Sequence, residues 1–322
     1  MNLAWAIILL AGGLAVLWKC AEWLVAGAVG LANRLGVSPL VIGLTVVAMG
    51  TSAPEVAASI AAALRGVGDV AIGNVYGSNV ANLALVGGLS ALIRPVPINK
   101  RVLRREIPVM LLVALLLWPA LQDLQLSRSE GAALLAVFAV LVLLTVYMAR
   151  REAEPVNSSR AASNRGHGTG PAKKSVLLVV IGLVGLALGA DMSVQGAVFI
   201  GEQIGLSNAV IGLTIIAVGT SLPELVTCVV AAVKGQHDIS IGNLVGSNVF
   251  NTLLVVGAAG AIRPFGLSQR LVGLDYWIMI MVSAGFVLMA IGGRRISRVD
   301  GALLLCGYLG YMVYLLAYTA GM

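Results

Sequence analysis

Two glutamates in matching sequence contexts are the first candidates for chemistry. Glu55 ends the sequence GTSAPE and Glu224 ends GTSLPE, and both lie inside apolar stretches long enough to span a membrane. A carboxylate in such a stretch is costly and is therefore a functional candidate. On a helix, the hydroxyls three and four residues before each glutamate lie on the same face as the carboxylate. These motifs contribute Thr51, Ser52, Glu55, Thr220, Ser221 and Glu224 to the expected site.

A proline precedes each glutamate. Because proline has no N–H, Pro54 and Pro223 leave the carbonyls of Gly50 and Gly219 without their helical partners. We therefore predict a kink beside each carboxylate, with loosened backbone carbonyls that are available to a cation.

A second pair of motifs contributes neutral oxygens. The sequence GNVYGSNVAN in the first half corresponds to GNLVGSNVFN in the second. Ser78 and Asn82 are four residues apart, as are Ser247 and Asn251, so each pair is expected to share a helix face. Glycines in the same motifs permit close approach between helices. They are Gly73, Gly77, Gly242 and Gly246.

The predicted site is built from oxygen ligands alone. Its carboxylates, hydroxyls, amides and loosened carbonyls suit a hard cation, and a set of about six to eight flexible oxygens favours Ca²⁺ over Mg²⁺. Two fixed negative charges balance one Ca²⁺. Monovalent ions can compete for the same oxygens, but many cations at once would leave excess positive charge in a low dielectric. The pattern therefore predicts antiport of a divalent cation against monovalent cations.

The elements that position these residues are membrane-spanning helices. The chain has 322 residues, of which 59% are hydrophobic and 11% charged, whereas about 25% of residues are charged in soluble proteins. Helices of about 20 apolar residues satisfy their own backbone in lipid, and the length leaves little room for a soluble domain. The ten predicted helices cover residues 3–31, 37–64, 70–93, 105–122, 129–149, 175–200, 207–233, 239–262, 271–292 and 299–320.

An internal repeat divides the chain into two halves. Residues 43–96 align with 212–265 at a constant offset of 169, and 27 of the 54 aligned residues are identical. Each half holds five predicted helices, and because five is odd, the second half enters the membrane from the opposite side. We expect a first repeat at 1–149, a linker at 150–174 and an inverted second repeat at 175–322. Inverted repeats with ligands at their interface are typical of secondary transporters with alternating access.

The basic residues predict the orientation. With the linker in the cytoplasm, 16 of the 21 Lys and Arg residues lie on the cytoplasmic side, as the positive-inside rule requires. Both termini are then outside. We expect a multi-pass protein of the inner (plasma) membrane.

The paired GTS-x-PE and GSN-x-x-N segments in inverted halves resemble the two alpha repeats of the calcium/cation antiporter superfamily, specifically its prokaryotic sodium/calcium exchanger branch. The resemblance implies the sodium/calcium exchanger fold, an all-α membrane protein of ten helices with four adjacent ion sites. By position, the residues that resemble Ca²⁺ ligands are Glu55, Glu224, Thr51 and Thr220. Those that resemble Na⁺ ligands are Ser52, Ser221, Ser78, Ser247, Asn82 and Asn251, with the carbonyls of Ala48 and Ala217.

The resemblance also implies a stoichiometry and an ion requirement. The potassium-dependent branch and some prokaryotic members carry Asp where Asn251 stands, so amides at both Asn82 and Asn251 resemble the potassium-independent pattern. Exchange of three Na⁺ for one Ca²⁺ is implied, and this ratio is electrogenic. The chain lacks the GNA-x-E motif expected of proton/calcium exchangers. Proton-coupled transport of Ca²⁺ or another divalent cation remains the alternative, because Glu55 and Glu224 could titrate in lipid.

Other classes of protein fit less well. An intramembrane hydrolase needs a nucleophile with its base or a metal site, but His167 and His237 both lie in predicted loops. A cation channel normally forms its pore by oligomeric symmetry, whereas two inverted halves in one chain supply alternating access. We therefore expect a transporter of Ca²⁺ and Na⁺ in the lipid bilayer, with no enzymatic activity, no cofactor, no nucleic-acid partner and no required protein partner.

Charged residues outside the motifs are expected to have structural roles. Glu22 and Asp191 occupy equivalent positions in the two halves, and Lys19 is expected to pair with Glu22 three residues on. Asp69 and Asp238 are expected to cap the helices that begin after them.

Overall fold

Helices form every long element of the computed structural model, as an apolar chain in lipid requires. The structure describes residues 1–160, 172–206 and 211–320. The helices of the first repeat are α1 Leu3–Leu35, α2 Pro39–Thr51, α3 Ala53–Leu64, α4 Gly68–Ile93, α5 Val102–Glu106 continued by Ile107–Leu121, and α6 Arg128–Arg160. Those of the second repeat are α7 Ala172–Gln203, α8 Gly212–Ile216 continued by Ala217–Thr220, α9 Leu222–Val233, α10 His237–Ile262, α11 Leu271–Gly293 and α12 Arg298–Ala320.

The predicted order of helices is confirmed, and the helices differ in length and continuity. Among the described residues, seven helices are long and apolar enough to cross a membrane by themselves. Two further spans are bent pairs, α2 with α3 at 45° and α8 with α9 at 57°. The remaining predicted helix, 105–122, is α5, whose apolar part has 15 residues and a length of about 22 Å. That length is shorter than the bilayer core of about 30 Å.

Three pairs of wide, π-helical turns recur at the offset of the sequence repeat, and the sequence patterns did not predict them. Such turns are frequent at functional sites because they displace side chains from the regular helical register. The pairs are Gly43–Val47 with Gly212–Ile216, Ala81–Val86 with Asn251–Val255, and Val102–Glu106 with Leu271–Asp275. The two repeats therefore share backbone irregularities as well as sequence.

Two short antiparallel strand pairs join the repeats to each other. Strand β1 Val96–Pro97 pairs with β4 Arg295–Ile296, and β2 Gln125–Leu126 pairs with β3 Phe265–Gly266. β1 and β3 each follow the Arg-Pro sequence that ends α4 and α10. Because each pair takes one strand from each half, the two halves close into one body.

The segment predicted as a linker is partly helical. Helix α6 continues to Arg160 and α7 begins at Ala172, so both helices extend into the predicted range 150–174. The Arg, Glu and Ala residues that follow position 149 are good helix formers, although their polarity suggested a linker. The remainder of the predicted linker, with His167, lies outside the described residues, as do positions 207–210.

Helices α1 and α7 pack closely along each other through glycines. A Cβ atom at Gly189 would lie 3.0 Å from the carbonyl oxygen of Gly13, and one at Gly182 would lie 2.8 Å from the Cβ of Leu24. Small residues allow such approach between membrane helices. In the apolar stretches of α4 and α10, 72% of residues are buried, compared with 22% in α1 and 33% in α7. The fold thus has a core around α4 and α10 and an outer pair, α1 and α7.

Candidate functional site

Each GTS-x-PE motif interrupts its helix at the serine. Ser52 (φ −81°, ψ 6°) separates α2 from α3, and Ser221 (φ −90°, ψ 5°) separates α8 from α9. Pro54 and Pro223 fall in the first turn of the following helix, where the missing N–H costs no hydrogen bond. The predicted bend beside each carboxylate is present, 45° in the first repeat and 57° in the second, but the chain breaks at the serine, two residues before the proline.

The break changes the setting of the two glutamates. Glu55 and Glu224 lie in the first turn of a helix rather than in the middle of one. The partial positive charge of a helix N-terminus favours a carboxylate there. The serine N–H at each break bonds to the carbonyl of Ala48 (3.0 Å) or Val218 (3.1 Å), so it does not give the carbonyl of Gly50 or Gly219 a partner.

Both carboxylates are fully buried, and the two repeats share them. The Ser52 hydroxyl donates a hydrogen bond to Glu224 Oε1 at 2.9 Å, which joins residues 172 positions apart. The Ser78 hydroxyl donates to Glu55 Oε1 at 3.5 Å. The end of α2 lies beside the start of α9, so the Ser52 hydroxyl donates to the glutamate of the opposite repeat.

Several buried oxygens in this region have no hydrogen-bond partner among the described residues. A buried polar atom without a partner costs free energy unless a ligand satisfies it. Carboxylate, hydroxyl and amide oxygens together match the preferences of a hard cation. These oxygens are Glu55 Oε2, Glu224 Oε2, Ser221 Oγ, Ser247 Oγ, Asn82 Oδ1 and Asn251 Oδ1.

Asn82 and Asn251 also lie at wide turns. Asn82 is the second residue of the π-helical turn in α4, and Asn251 is the first residue of the one in α10. Both are fully buried, and their amide nitrogens also have no partner among the described residues. Within the described part of the chain, no group of three or more His, Cys, Asp or Glu side chains could hold a metal ion. Two carboxylates and neutral oxygens are therefore the groups that this region offers to a cation.

The structure adds Asn243 to the site, a residue that the sequence patterns did not single out. Its side chain is fully buried, and its Oδ1 accepts a hydrogen bond from the Thr51 hydroxyl at 3.1 Å. Its Nδ2 donates to the Cys228 sulfur at 3.4 Å. Because the Thr51 proton can point toward Asn243, the lone pairs of that hydroxyl can face the carboxylates. The signal in the sequence was the Asn of GNVYGSN and GNLVGSN, which precedes each serine by four residues.

The remaining predicted residues differ in their surroundings. The carbonyl of Ala48 accepts the Ser52 N–H at 3.0 Å and the Thr51 hydroxyl at 3.3 Å. Ala217 begins the last helical segment of α8, at the position that Ala48 has in α2. Thr220 is half-buried, whereas Thr51 is buried. The structure thus brings Ser52 and Ser78 against the two glutamates, and leaves the Thr220 side of the site more exposed.

The two sides of the site are packed differently. A Cβ at Gly242 would lie 2.8 Å from the carbonyl oxygen of Leu40, and one at Gly246 would lie 2.8 Å from that of Leu44, so α10 touches α2. A Cβ at Gly73 or Gly77, the equivalent glycines of α4, would meet no described atom within 4 Å. Access to the site is therefore closed between α2 and α10.

Structural roles for the outlying charges are only partly as predicted. Lys19 pairs with Glu22 at 3.0 Å, as expected. The capping roles of Asp69 and Asp238 are wrong, because α4 and α10 begin one residue before them. Instead Asp69 accepts the N–H of Ser268 at 2.8 Å, so it joins the two repeats. An acidic residue of this kind indicates where a helix begins, but the tertiary structure determines which group its carboxylate contacts.

Sequence and structure comparisons place these features in a known family. Residues 5–147 and 174–317 match the family model described as "Sodium/calcium exchanger protein". The putative antiporter CaxA of Alkalimonas amylolytica is 39% identical over 315 residues, covering 96% of this chain and 98% of that protein. The inner membrane protein YrbG of Escherichia coli K12 is 37% identical over 320 residues, 98% of this chain and 97% of that protein.

Comparison with a solved structure indicates the same family. The sodium-calcium exchanger NCX_Mj, soaked with zero Na⁺ and Ca²⁺, superposes with a TM-score of 0.83 at 30% identity, covering 98% of this chain and all of that one. The chain is therefore an antiporter with the sodium/calcium exchanger fold, and not an enzyme. It belongs to the sodium/calcium exchanger family, in which Na⁺ and Ca²⁺ are the transported substrates and no cofactor takes part.

Proposed function

We propose that this protein exchanges three Na⁺ for one Ca²⁺ across the inner membrane by alternating access, with Glu55 and Glu224 as the charged ligands. The observation that carries the proposal is the set of buried oxygens around two buried carboxylates that have no hydrogen-bond partner among the described residues. Thr51 and Thr220 are assigned to Ca²⁺. The Na⁺ ligands in this proposal are Ser52, Ser221, Ser78, Ser247, Asn82, Asn251 and the carbonyls of Ala48 and Ala217.

The proposed stoichiometry follows from charge. One Ca²⁺ neutralises two carboxylates, whereas three Na⁺ leave a net charge of +1. Each cycle then moves one net charge, so the exchange responds to membrane potential. Because amides stand at both Asn82 and Asn251, no third carboxylate is present to recruit K⁺, and the proposed exchange does not need it.

The proposed orientation places the segment between α6 and α7 in the cytoplasm and both termini outside. It rests on the distribution of Lys and Arg and on the inverted repeat. In this orientation, the closed contact between α2 and α10 lies on the cytoplasmic side of the site. The described conformation then corresponds to an exchanger whose site opens toward the outside.

The proposal is tested by Ca²⁺ uptake into vesicles reconstituted with the full chain. Vesicles loaded with Na⁺, with K⁺ or at low pH are diluted into medium containing radioactive Ca²⁺. An outward Na⁺ gradient is expected to drive uptake, and an inside-negative potential to change its rate. Replacing K⁺ by an inert cation is expected to leave uptake unchanged. Uptake driven by a proton gradient but not by Na⁺ would assign the alternative, proton-coupled transport, and dissipative Ca²⁺ flux without a counter-ion would indicate a channel.

A further inference from the structure

One ion pair outside the ion site joins the outer helices to the core. Lys234, directly after α9, contacts Glu22 of α1 with Nζ and Oε1 3.2 Å apart. Glu22 is also held by Lys19 of its own helix at 3.0 Å. The Glu22 side chain is about one-quarter exposed. The cross-helix pair therefore forms at the edge of the closed side, where α1 meets the end of α9.

The sequence repeat assigns a counterpart to each partner. At the offset of 169, Glu22 corresponds to Asp191 of α7, and Lys234 corresponds to Arg65, directly after α3. The Asp191 carboxylate accepts a hydrogen bond from Gln195 of its own helix at 2.7 Å. Among the described residues, Asp191 and Arg65 form no ion pair within 4.0 Å. The chain therefore carries the parts of two equivalent ion pairs, of which this conformation forms one.

We propose that Glu22 with Lys234 and Asp191 with Arg65 are alternative ion pairs, each of which holds one side of the transporter closed. The inference rests on the proposed function in one respect, since it requires two alternating conformations. When the chain exchanges one conformation for the other, the first pair breaks and the second forms. Lys234 and Arg65 are thus positioning residues that set the balance between the two conformations.

The geometry of α1 and α7 couples the two pairs. The glycine contacts between these helices let them move as one unit. Arg65 and Lys234 follow helices that run in opposite directions from the central breaks, so the two cations lie at opposite faces of the core. A displacement of the α1 and α7 unit toward one face therefore separates one carboxylate from its cation and brings the other carboxylate toward its own.

Partners within each helix make such an exchange feasible. Lys19 moves with Glu22, and Gln195 moves with Asp191, so neither carboxylate loses all its hydrogen-bond donors when the cross-helix pair breaks. An unpaired carboxylate in a membrane would be costly and would trap one conformation. With these partners, the difference between paired and unpaired states stays small, as a rapidly reversible contact requires.

Cross-linking between introduced cysteines tests the proposal. The background is the full chain with Cys20→Ala, Cys228→Ser and Cys306→Ala, to which either Glu22→Cys with Lys234→Cys or Asp191→Cys with Arg65→Cys is added. Both pairs join the first half of the chain to the second. A protease site inserted within 161–171 therefore separates the halves on a denaturing gel unless a short bifunctional methanethiosulfonate has joined the two cysteines through disulfides, which a reductant cleaves. The protein is held in lipid with Na⁺, with Ca²⁺ or with neither ion.

Both cysteine pairs are expected to be joined, with yields that change in opposite directions as the ions are changed. Joining either pair is expected to stop exchange, and a reductant to restore it. In addition, Lys234→Gln is expected to raise the yield of the 65–191 pair by about threefold, because it removes the competing contact. The matched control is Arg65→Cys with Lys234→Cys, whose positions lie at opposite faces and are expected not to be joined in any condition.

A 65–191 yield no higher than that of the control in every condition, with or without Lys234→Gln, would overturn the proposal. Yields of the two pairs that rise and fall together would do the same. The test is independent of the ions proposed above, because cross-linking is read on a gel. If Na⁺ drives no Ca²⁺ uptake while the two yields still change in opposite directions, the assignment of ions is wrong and the alternative ion pairs stand.

Discussion

Helices α2 and α3 in one repeat and α8 and α9 in the other carry nearly the same motif in two different conformations. At the first break, the Ser52 N–H bonds to Ala48, four residues back, as in an α-helix. At the second, the Ser221 N–H bonds to Val218, three residues back, which tightens the last turn. The bend is correspondingly sharper, 57° compared with 45°.

Equivalent residues of the two repeats also differ in how far their side chains are exposed. Val47 of α2 is fully buried, whereas its counterpart Ile216 of α8 is 46% exposed. Asn243 is buried against Thr51, whereas its counterpart Asn74 is half-buried and donates to the Ser59 hydroxyl and the Glu55 carbonyl. The helix before the first break is therefore packed against α10, whereas the helix before the second break is more exposed.

This difference shows how two similar repeats can supply one transport cycle. If both repeats adopted the same conformation, the site would be open or closed to both sides at once. Because the repeats are inverted, an exchange of their conformations opens the site to the opposite side. Variants at equivalent positions of the two repeats can therefore test whether the difference matters for transport.

The largest effect is expected from the two glutamates, at which the repeats are most alike. Glu55→Gln and Glu224→Gln each remove one of the two charges that balance Ca²⁺, so each is expected to lower Ca²⁺ exchange by more than about 100-fold. Ca²⁺/Ca²⁺ exchange in vesicles and elution as a folded protein in detergent are the measurements. The control is Glu130→Gln, since that carboxylate contacts Ser127 at the start of α6. Ca²⁺/Ca²⁺ exchange at the normal rate in either site variant would contradict the assignment.

A smaller effect is expected at Asn243, where the repeats differ. Asn243→Leu removes the acceptor for the Thr51 hydroxyl, which costs about one hydrogen bond, so half-maximal uptake is expected to need about tenfold more Ca²⁺. Asn74→Leu is the matched variant. Because Asn74 contacts Ser59 and the Glu55 backbone, we expect a smaller change in Ca²⁺ dependence. Equal changes in the two variants would show that the contact with Thr51 is not what matters.

Glycines on the two sides test the packing itself. Gly246→Ala places a methyl group 2.8 Å from both the Leu44 carbonyl oxygen and the Ala48 Cβ, so we expect a loss of about 1–3 kcal/mol in the free energy of unfolding. Gly77→Ala meets no described atom within 4 Å, and its effect on stability is expected to be below about 1 kcal/mol. Thermal unfolding of both variants in detergent is the measurement. A larger loss for Gly77→Ala would reverse the comparison of open and closed sides.

The smallest effect is expected at Cys228, which stands where the first repeat has Ser59. The Ser59 hydroxyl donates to the Ala71 carbonyl at 3.0 Å, and the Cys228 thiol donates to the Ser240 carbonyl at 3.4 Å. Cys228→Ser can make the same contact, so initial rates of Ca²⁺ uptake are expected to stay within about twofold of the unmodified protein. A severe loss of uptake would mean that the thiol has a role that its serine counterpart does not share.

Much of the fold was accessible from the sequence because the relevant signals are local. Apolar segments predict helices, the offset of 169 predicts an inverted repeat, and both indications agree with the structure. The position of each helix break was not accessible. Pro54 is the obvious breaker, but the interruption lies at Ser52, two residues before it.

For the candidate site too, some features follow from the sequence and others depend on the tertiary structure. Its oxygen-rich composition and its two carboxylates, Glu55 and Glu224, follow from residue types in apolar surroundings, since any buried charge there needs a partner. The pairing of Ser52 with Glu224, the contact of Asn243 with Thr51 and the ion pair of Glu22 with Lys234 were decided only by the tertiary structure. Each joins residues far apart in the chain, so no local sequence pattern could bring them together.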